Sequence, residues 1–150
     1  MSDYDTDVLV WSERQAALLR RMGAGERVND QVDWANVAEQ IESLGKGDRR
    51  ELCSRVRTIL LHLIKLQASP AVERRAGWRE TIQQQRAEVR GLIKQSPSLR
   101  PTVPAAIEAE IEDARQIAAL ALTGFGEAPC VALDAMSFSV DQVLGPWLPD

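Results

Sequence analysis

One eight-residue run, Ile59-Leu-Leu-His-Leu-Ile-Lys-Leu66, limits what this chain can fold into more than any other feature. At about 100° per residue in a helix, its apolar side chains point in nearly every direction around the axis. A helix of that kind is buried on more than one face. We therefore predict a central helix over residues 48–67, with neighbouring helices on at least two sides.

Hydrophobic periodicity predicts four further helices, separated by glycine and proline. In chain order they cover residues 7–22, a segment that begins at Asp30 or Asp33 and ends at residue 44, residues 77–95, and residues 103–122. Gly45 and Gly47 are predicted to end the second of these, and Asp48 to cap the central helix that follows. After residue 125 the chain is rich in proline, and only one short helical turn, capped by Ser139, is expected there.

The length of 150 residues fits one domain. A chain that is 45% hydrophobic and 27% charged has the composition of an ordinary globular protein. No alternating strand pattern is present. We therefore predict a single all-α domain over residues 1–150: a compact bundle of about five helices with a central buried helix and an irregular C-terminal tail.

Compartment and membrane contact follow from simple sequence features. No apolar run approaches the ~20 residues that span a bilayer, and the acidic first seven residues are unlike a secretory leader. Cys53 and Cys130 have neither metal-binding nor redox spacing, so we interpret them as reduced thiols. We expect a cytoplasmic protein with no membrane partner.

Charge is unevenly distributed along the chain. Residues 1–100 carry 17 basic and 14 acidic side chains, whereas residues 101–150 carry one basic and eight acidic ones. Nonspecific nucleic-acid binding needs a basic face. Glutamates interrupt the basic stretch over residues 73–94, which favours a solvated helix face with local ion pairs. We therefore expect no nucleic-acid partner.

The central helix carries one stripe of polar residues, Arg55, Thr58, His62 and Lys65, called the polar stripe below. Spacings of three, four and three residues put these side chains on one narrow strip, so they share a neighbouring element. Adding the charged residues expected on the two neighbouring helices gives a candidate cluster of six. Its members are Glu39, Glu42, Arg55, His62, Lys65 and Arg86.

Two interpretations of this cluster stay open. In the first, His62 is a general base or a metal ligand, with Glu39 and Glu42 as further ligands or as an acid partner. In the second, the carboxylates balance the basic side chains in a structural network between helices. Di-metal helical bundles carry paired Glu-x-x-His motifs, and this chain has none. The structural network is therefore favoured, and no cofactor or metal is predicted.

Ordered blocks of residues extend over nearly the whole chain. They are Tyr4-Asp5-Thr6-Asp7 with Trp11, Leu18-Leu19-Arg20, residues 38–45, residues 60–65, residues 78–82 with Arg86, residues 96–99, and residues 139–144 before Trp147-Leu148-Pro149. Together they resemble a bacterial family known as domain of unknown function twenty-nine. Gln40 stands where that family more often has a second glutamate, and Gly77 where serine is usual. The resemblance implies an α-helical fold and no established activity, cofactor or catalytic residue.

The chain also lacks the motifs of common enzyme mechanisms. It has no Gly-rich phosphate loop, no nucleophile elbow and no Cys-His-Asp set at nucleophile spacing. Together with the acidic last third, this favours a non-enzymatic interaction or regulatory module that binds another protein or a second copy of itself. The alternative is a small metal-dependent or His-based enzyme centred on His62 with Glu39 and Glu42.

Overall fold

Residues 2–150 are described by a computed structural model, and over that range they form helices and no β-strand. The α-helices are α1 (Asp3–Thr6), α2 (Val8–Gly23), α3 (Trp34–Ala68), α4 (Arg75–Gln95), α5 (Val103–Gly124) and α6 (Val140–Leu144). Short 3₁₀ segments lie at Asn29–Gln31, Pro97–Thr102 and Leu133–Ala135. None of the helices in residues 2–150 is long and apolar enough to cross a membrane. The all-α class is confirmed.

The contacts of the chain divide it into two compact units, Met1–Gly47 and Asp48–Asp150. Residues 34–47 of helix α3, called its first half below, belong to the N-terminal unit. Residues 48–68, called its second half, belong to the C-terminal unit. Each unit has its own hydrophobic core. The single-domain organisation over residues 1–150 stays a prediction.

The N-terminal unit has a small core of apolar side chains from α2, the following loop and the start of α3. Its buried members are Trp11, Leu18, Val28, Val32 and Val37. Asp33 caps α3, because its side chain accepts a hydrogen bond from the N–H of Asn36 at 3.4 Å. The same carboxylate accepts from the indole N–H of Trp11 at 3.1 Å, which fastens the start of α3 to α2.

The predicted helix break at Gly45 and Gly47 is wrong, because α3 runs without interruption for 35 residues. Glycine inside a helix costs about 1 kcal/mol relative to alanine, which weakens a helix without ending it. A glycine ends a helix when the chain turns left-handed there, and the glycines with positive φ among the described residues are Gly25 and Gly126. The predicted cap, Asp48, instead accepts a hydrogen bond from the Ser96 hydroxyl at 3.1 Å.

The C-terminal unit is built around the second half of α3. In this half of α3, eight apolar side chains are at most 1% exposed: Leu52, Val56, Ile59, Leu60, Leu63, Ile64, Leu66 and Ala68. The same core includes Ile82 and Val89 of α4, Ala114 and Ala118 of α5, and Val143 of α6. The predicted central buried helix is confirmed for this half of α3.

Two local motifs position the chain after α5. Gly126, with φ of 66°, lets the N–H of Glu127 donate to the carbonyl of Leu122 at 2.9 Å, which closes the helix end. Ser139 caps α6 as predicted, because its hydroxyl accepts from the N–H of Gln142 at 3.1 Å. The first motif directs the Glu127 side chain back toward the loop that precedes α4.

We predict that Gly47→Ala raises the free energy of unfolding by about 1 kcal/mol, because Gly47 lies inside α3 and an added Cβ there would meet no atom within 4 Å. Gly126→Ala is the control. Its backbone has a positive φ, so the same substitution should lower stability by about 1 kcal/mol. Urea denaturation of the three proteins measures both effects, and a stability loss in Gly47→Ala would contradict a continuous α3.

Candidate functional site

The polar stripe faces α4 within the C-terminal unit. A guanidinium nitrogen of Arg55 lies 3.1 Å from the side-chain oxygen of Gln85 on α4. The same guanidinium forms an ion pair with Glu51 at 2.9 Å, one turn earlier on α3. Arg55 is therefore satisfied by its own unit. Half-exposed pairs of this kind contribute tenths of a kcal/mol and position side chains more than they stabilise the fold.

His62 lies about two turns beyond Arg55 along the stripe and forms a hydrogen bond within its own helix. Its Nδ1 is 2.8 Å from the carbonyl oxygen of Thr58. A carbonyl can only accept, so Nδ1 carries the proton and Nε2 keeps its lone pair. Burial holds the pKa of His62 below its ordinary value, and the nearby charge of Lys65 lowers it further, against the opposing effect of the Thr58 carbonyl. His62 is therefore neutral at pH 7.

Lys65 ends the stripe at a cleft of about 190 Å³, called the Lys65 cleft below. The walls include Lys65, Arg74, Trp78, Leu122, Phe125 and Glu127. The ammonium of Lys65 lies 5.9 Å from the centroid of the Trp78 ring, at the outer limit of a cation–π contact. Lys65 has no ion pair with a carboxylate within residues 2–150.

Arg74 also lines the Lys65 cleft. Its guanidinium carbon lies 3.7 Å from the centroid of Phe125 and 5.4 Å from that of Trp78, so it packs between the two rings. Arg74 also forms an ion pair with Glu127. The hydroxyl of Ser69 donates to the same carboxylate at 2.6 Å, so this wall is fixed by several contacts at once.

Arg86 has a different role from the polar stripe. It is 1% exposed and donates hydrogen bonds to the backbone carbonyls of Val143 at 2.8 Å, Gln142 at 2.8 Å and Trp147 at 2.7 Å. Burial lowers its pKa, and the nearby charge of Arg90 adds to the effect. Arg86 therefore fastens α6 and the tail to α4 with a buried cation.

The sequence placed Arg86 in the candidate cluster as a partner for carboxylates, yet its hydrogen bonds go to backbone carbonyls. The signal that could have revealed this is helical phase. Ile82 and Val89 are fully buried, and Arg86 lies within about 60° of both around α4. A charged residue in the middle of an apolar stripe must be paired inside the protein, because an isolated buried charge is costly.

Glu39 and Glu42 are exposed and belong to the N-terminal unit. The sequence placed them on a separate helix that faces the polar stripe. In the structure, Trp34–Ala68 is one helix, so Glu39 and Glu42 do not lie on a helix of their own. Within residues 2–150, no group of three or more His, Cys, Asp or Glu side chains could hold a metal ion.

Comparison with known families gives one match: the model described as domain of unknown function DUF29 covers residues 4–147. Neither a curated protein nor a solved structure matches the chain.

We predict that Arg86→Met lowers the free energy of unfolding by about 3 kcal/mol or more. It leaves three backbone carbonyls without their donor, and each orphaned buried group costs about 1–3 kcal/mol. Arg90→Met, one turn later and exposed, is the matched control and should change stability by less than about 0.5 kcal/mol. Chemical denaturation measures both. Equal effects would show that the tail does not depend on Arg86.

A second prediction concerns pH. The folded-state pKa of His62 lies below its ordinary value of 6.5, so the unfolded chain takes up a proton first as the pH falls. Stability should therefore decrease as the pH drops below about 6.5, and this decrease should end once the folded protein is also protonated. His62→Gln should remove that part of the pH dependence. If the slope of stability against pH between pH 7 and 5, measured by urea titration, is the same in His62→Gln as in the wild type, a partly buried, neutral His62 is contradicted.

Proposed function

We propose that this chain, which belongs to the family of the domain of unknown function DUF29, is a non-enzymatic interaction module that pairs with a second copy of itself. The contact surface lies on the first half of α3, in the N-terminal unit. An exposed apolar face on that helix half is the observation that carries the proposal.

This face, called the α3 face below, consists of Trp34, Ala38, Ile41 and Leu44. Trp34 is 51% exposed, Ile41 63% and Leu44 72%. Trp34 and Ile41 are seven residues apart and point in nearly the same direction, so they form one stripe. The apolar stripe of an amphipathic helix usually faces a core, yet here only Val37 beside it is buried. A contiguous apolar face of this kind is typical of a surface that another molecule covers.

The small size of the N-terminal unit means that covering the α3 face would stabilise it. Chains near 50 residues bury too little surface to be very stable alone, and association is a common remedy. This unit has a core of five buried apolar side chains. Each further Å² of apolar surface removed from water would contribute about 25 cal/mol.

A second copy is the occupant we propose, because a two-fold pair brings the same apolar side chains of both copies together and needs no other molecule. By helical phase Glu42 borders the α3 face, whereas Glu39 and Lys46 point away from it. The apolar side chains, rather than these charges, are therefore expected to hold the pair.

The expected dimer is weak. Standard stable interfaces bury about 800 Å² on each partner, and four side chains of one helix supply only part of that area. Association should therefore depend on protein concentration in the micromolar range. This behaviour suits a module whose pairing is regulated by its abundance.

The proposal includes a reducing, cytoplasmic location. Cys53 and Cys130 are both free. Burial, together with the nearby charge of Glu110, raises the pKa of the Cys53 thiol, so it is less reactive than an ordinary cysteine. Two cysteines that form no disulfide support a compartment in which disulfides do not form.

We predict that Leu44→Glu and Ile41→Glu each raise the dimer dissociation constant by about tenfold or more, because each places a charge in an apolar contact. Leu120→Glu is the matched control, since Leu120 of α5 is 73% exposed and lies outside the α3 face. Sedimentation equilibrium of the full chain over a wide concentration range measures the constant. A wild-type protein that stays monomeric throughout would refute the proposal.

A further inference from the structure

We propose that the Lys65 cleft, in the C-terminal unit, binds a small organic monocarboxylate: the carboxylate on the Lys65 ammonium and its apolar body against Trp78 and Leu122. This binding site is independent of the self-association described above.

The charge of the cleft selects a monoanion. Arg74 and Glu127 form an ion pair with each other, and Glu127 also accepts a hydrogen bond from Ser69. One positive charge, that of Lys65, is left over. A second negative charge on the ligand would lie near Glu127 without a further cation to balance it. A monocarboxylate therefore fits better than a phosphate dianion.

The surroundings of Lys65 favour the binding of an anion. Its side chain is partly buried, and burial together with the nearby charge of Arg74 lowers the pKa of its ammonium. No carboxylate in residues 2–150 compensates for this loss of hydration. A bound carboxylate would provide the missing partner through a charge-assisted hydrogen bond.

The apolar walls of the Lys65 cleft determine which non-carboxylate part of the ligand fits. Apart from the charged groups, the cleft is lined by Trp78, Ala121, Leu122 and Phe125. The ring of Phe125 is 67% exposed and forms part of the rim. A cleft of about 190 Å³ lies below the usual 300–1,000 Å³ of sites for drug-sized ligands, so the ligand has few atoms. Aromatic or short branched carboxylates meet these conditions.

The experiment is a titration of the full, isotopically labelled chain with benzoate at constant ionic strength, followed by amide and indole NMR shifts. Saturable shifts at Trp78, Leu122 and Phe125 are expected. Lys65→Met should weaken binding by at least tenfold, because it removes the charge while keeping most of the stem. Lys65→Arg keeps the charge and should remain within about threefold of the wild type.

Two controls make the result decisive. Lys94→Met removes an exposed lysine near the end of α4, outside the Lys65 cleft, and should leave the benzoate affinity unchanged. Titration with inorganic phosphate should give weaker shifts than benzoate at the same sites. The proposal is overturned if Lys65→Met, shown by circular dichroism to be folded, binds benzoate as well as the wild type. It is equally overturned if phosphate binds as tightly as benzoate, since that would be unspecific attraction of anions.

Discussion

The C-terminal unit depends on one constraint: the second half of α3 is apolar in nearly every direction and has to be covered all round. Helices α4 and α5 cover part of it, and α6 with the tail contributes Phe138 and Val143 to the same core. A tail with little regular structure leaves carbonyl groups without partners, and Arg86 supplies donors to three of them. Burial of the second half of α3 therefore requires the tail to pack against the core. The buried guanidinium of Arg86 stabilises that packing through its hydrogen bonds to the backbone.

The sequence predicted the parts of the fold that depend on repeated local signals. The all-round apolar character of residues 59–66 predicted the central buried segment, and Ser139 predicted the start of α6, because both depend only on nearby residues. The prediction that Gly45 and Gly47 end a helix was wrong, because a glycine does not by itself end a helix. The chain must also leave the helical conformation there, and the residues after the glycine decide whether it does. Continuous helix on both sides was enough to carry α3 through them.

The candidate site was predictable only in part. The spacing of Arg55, His62 and Lys65 correctly placed them on one strip, since it follows from helix geometry alone. Which element faces that strip could not be derived, because it depends on how distant segments pack. Glu39 and Glu42 were therefore assigned to a separate helix, whereas their segment is continuous with the central helix. The cleft beyond Lys65 was missed for the same reason: Phe125 and Glu127 follow α5, about sixty residues further along the chain.

The polar residues of the C-terminal unit differ in what already contacts them. Arg55 is paired with Glu51 and Gln85. Arg86 forms no ion pair within residues 2–150, but it donates to three backbone carbonyls, and its removal should change stability first. Lys65 also forms no ion pair within that range, and it lies in the same cleft as the exposed Phe125. A charge without an ionic partner next to an apolar wall gives a ligand both a driving force and an orientation. That combination, more than the lone histidine, is why we place a binding site at Lys65.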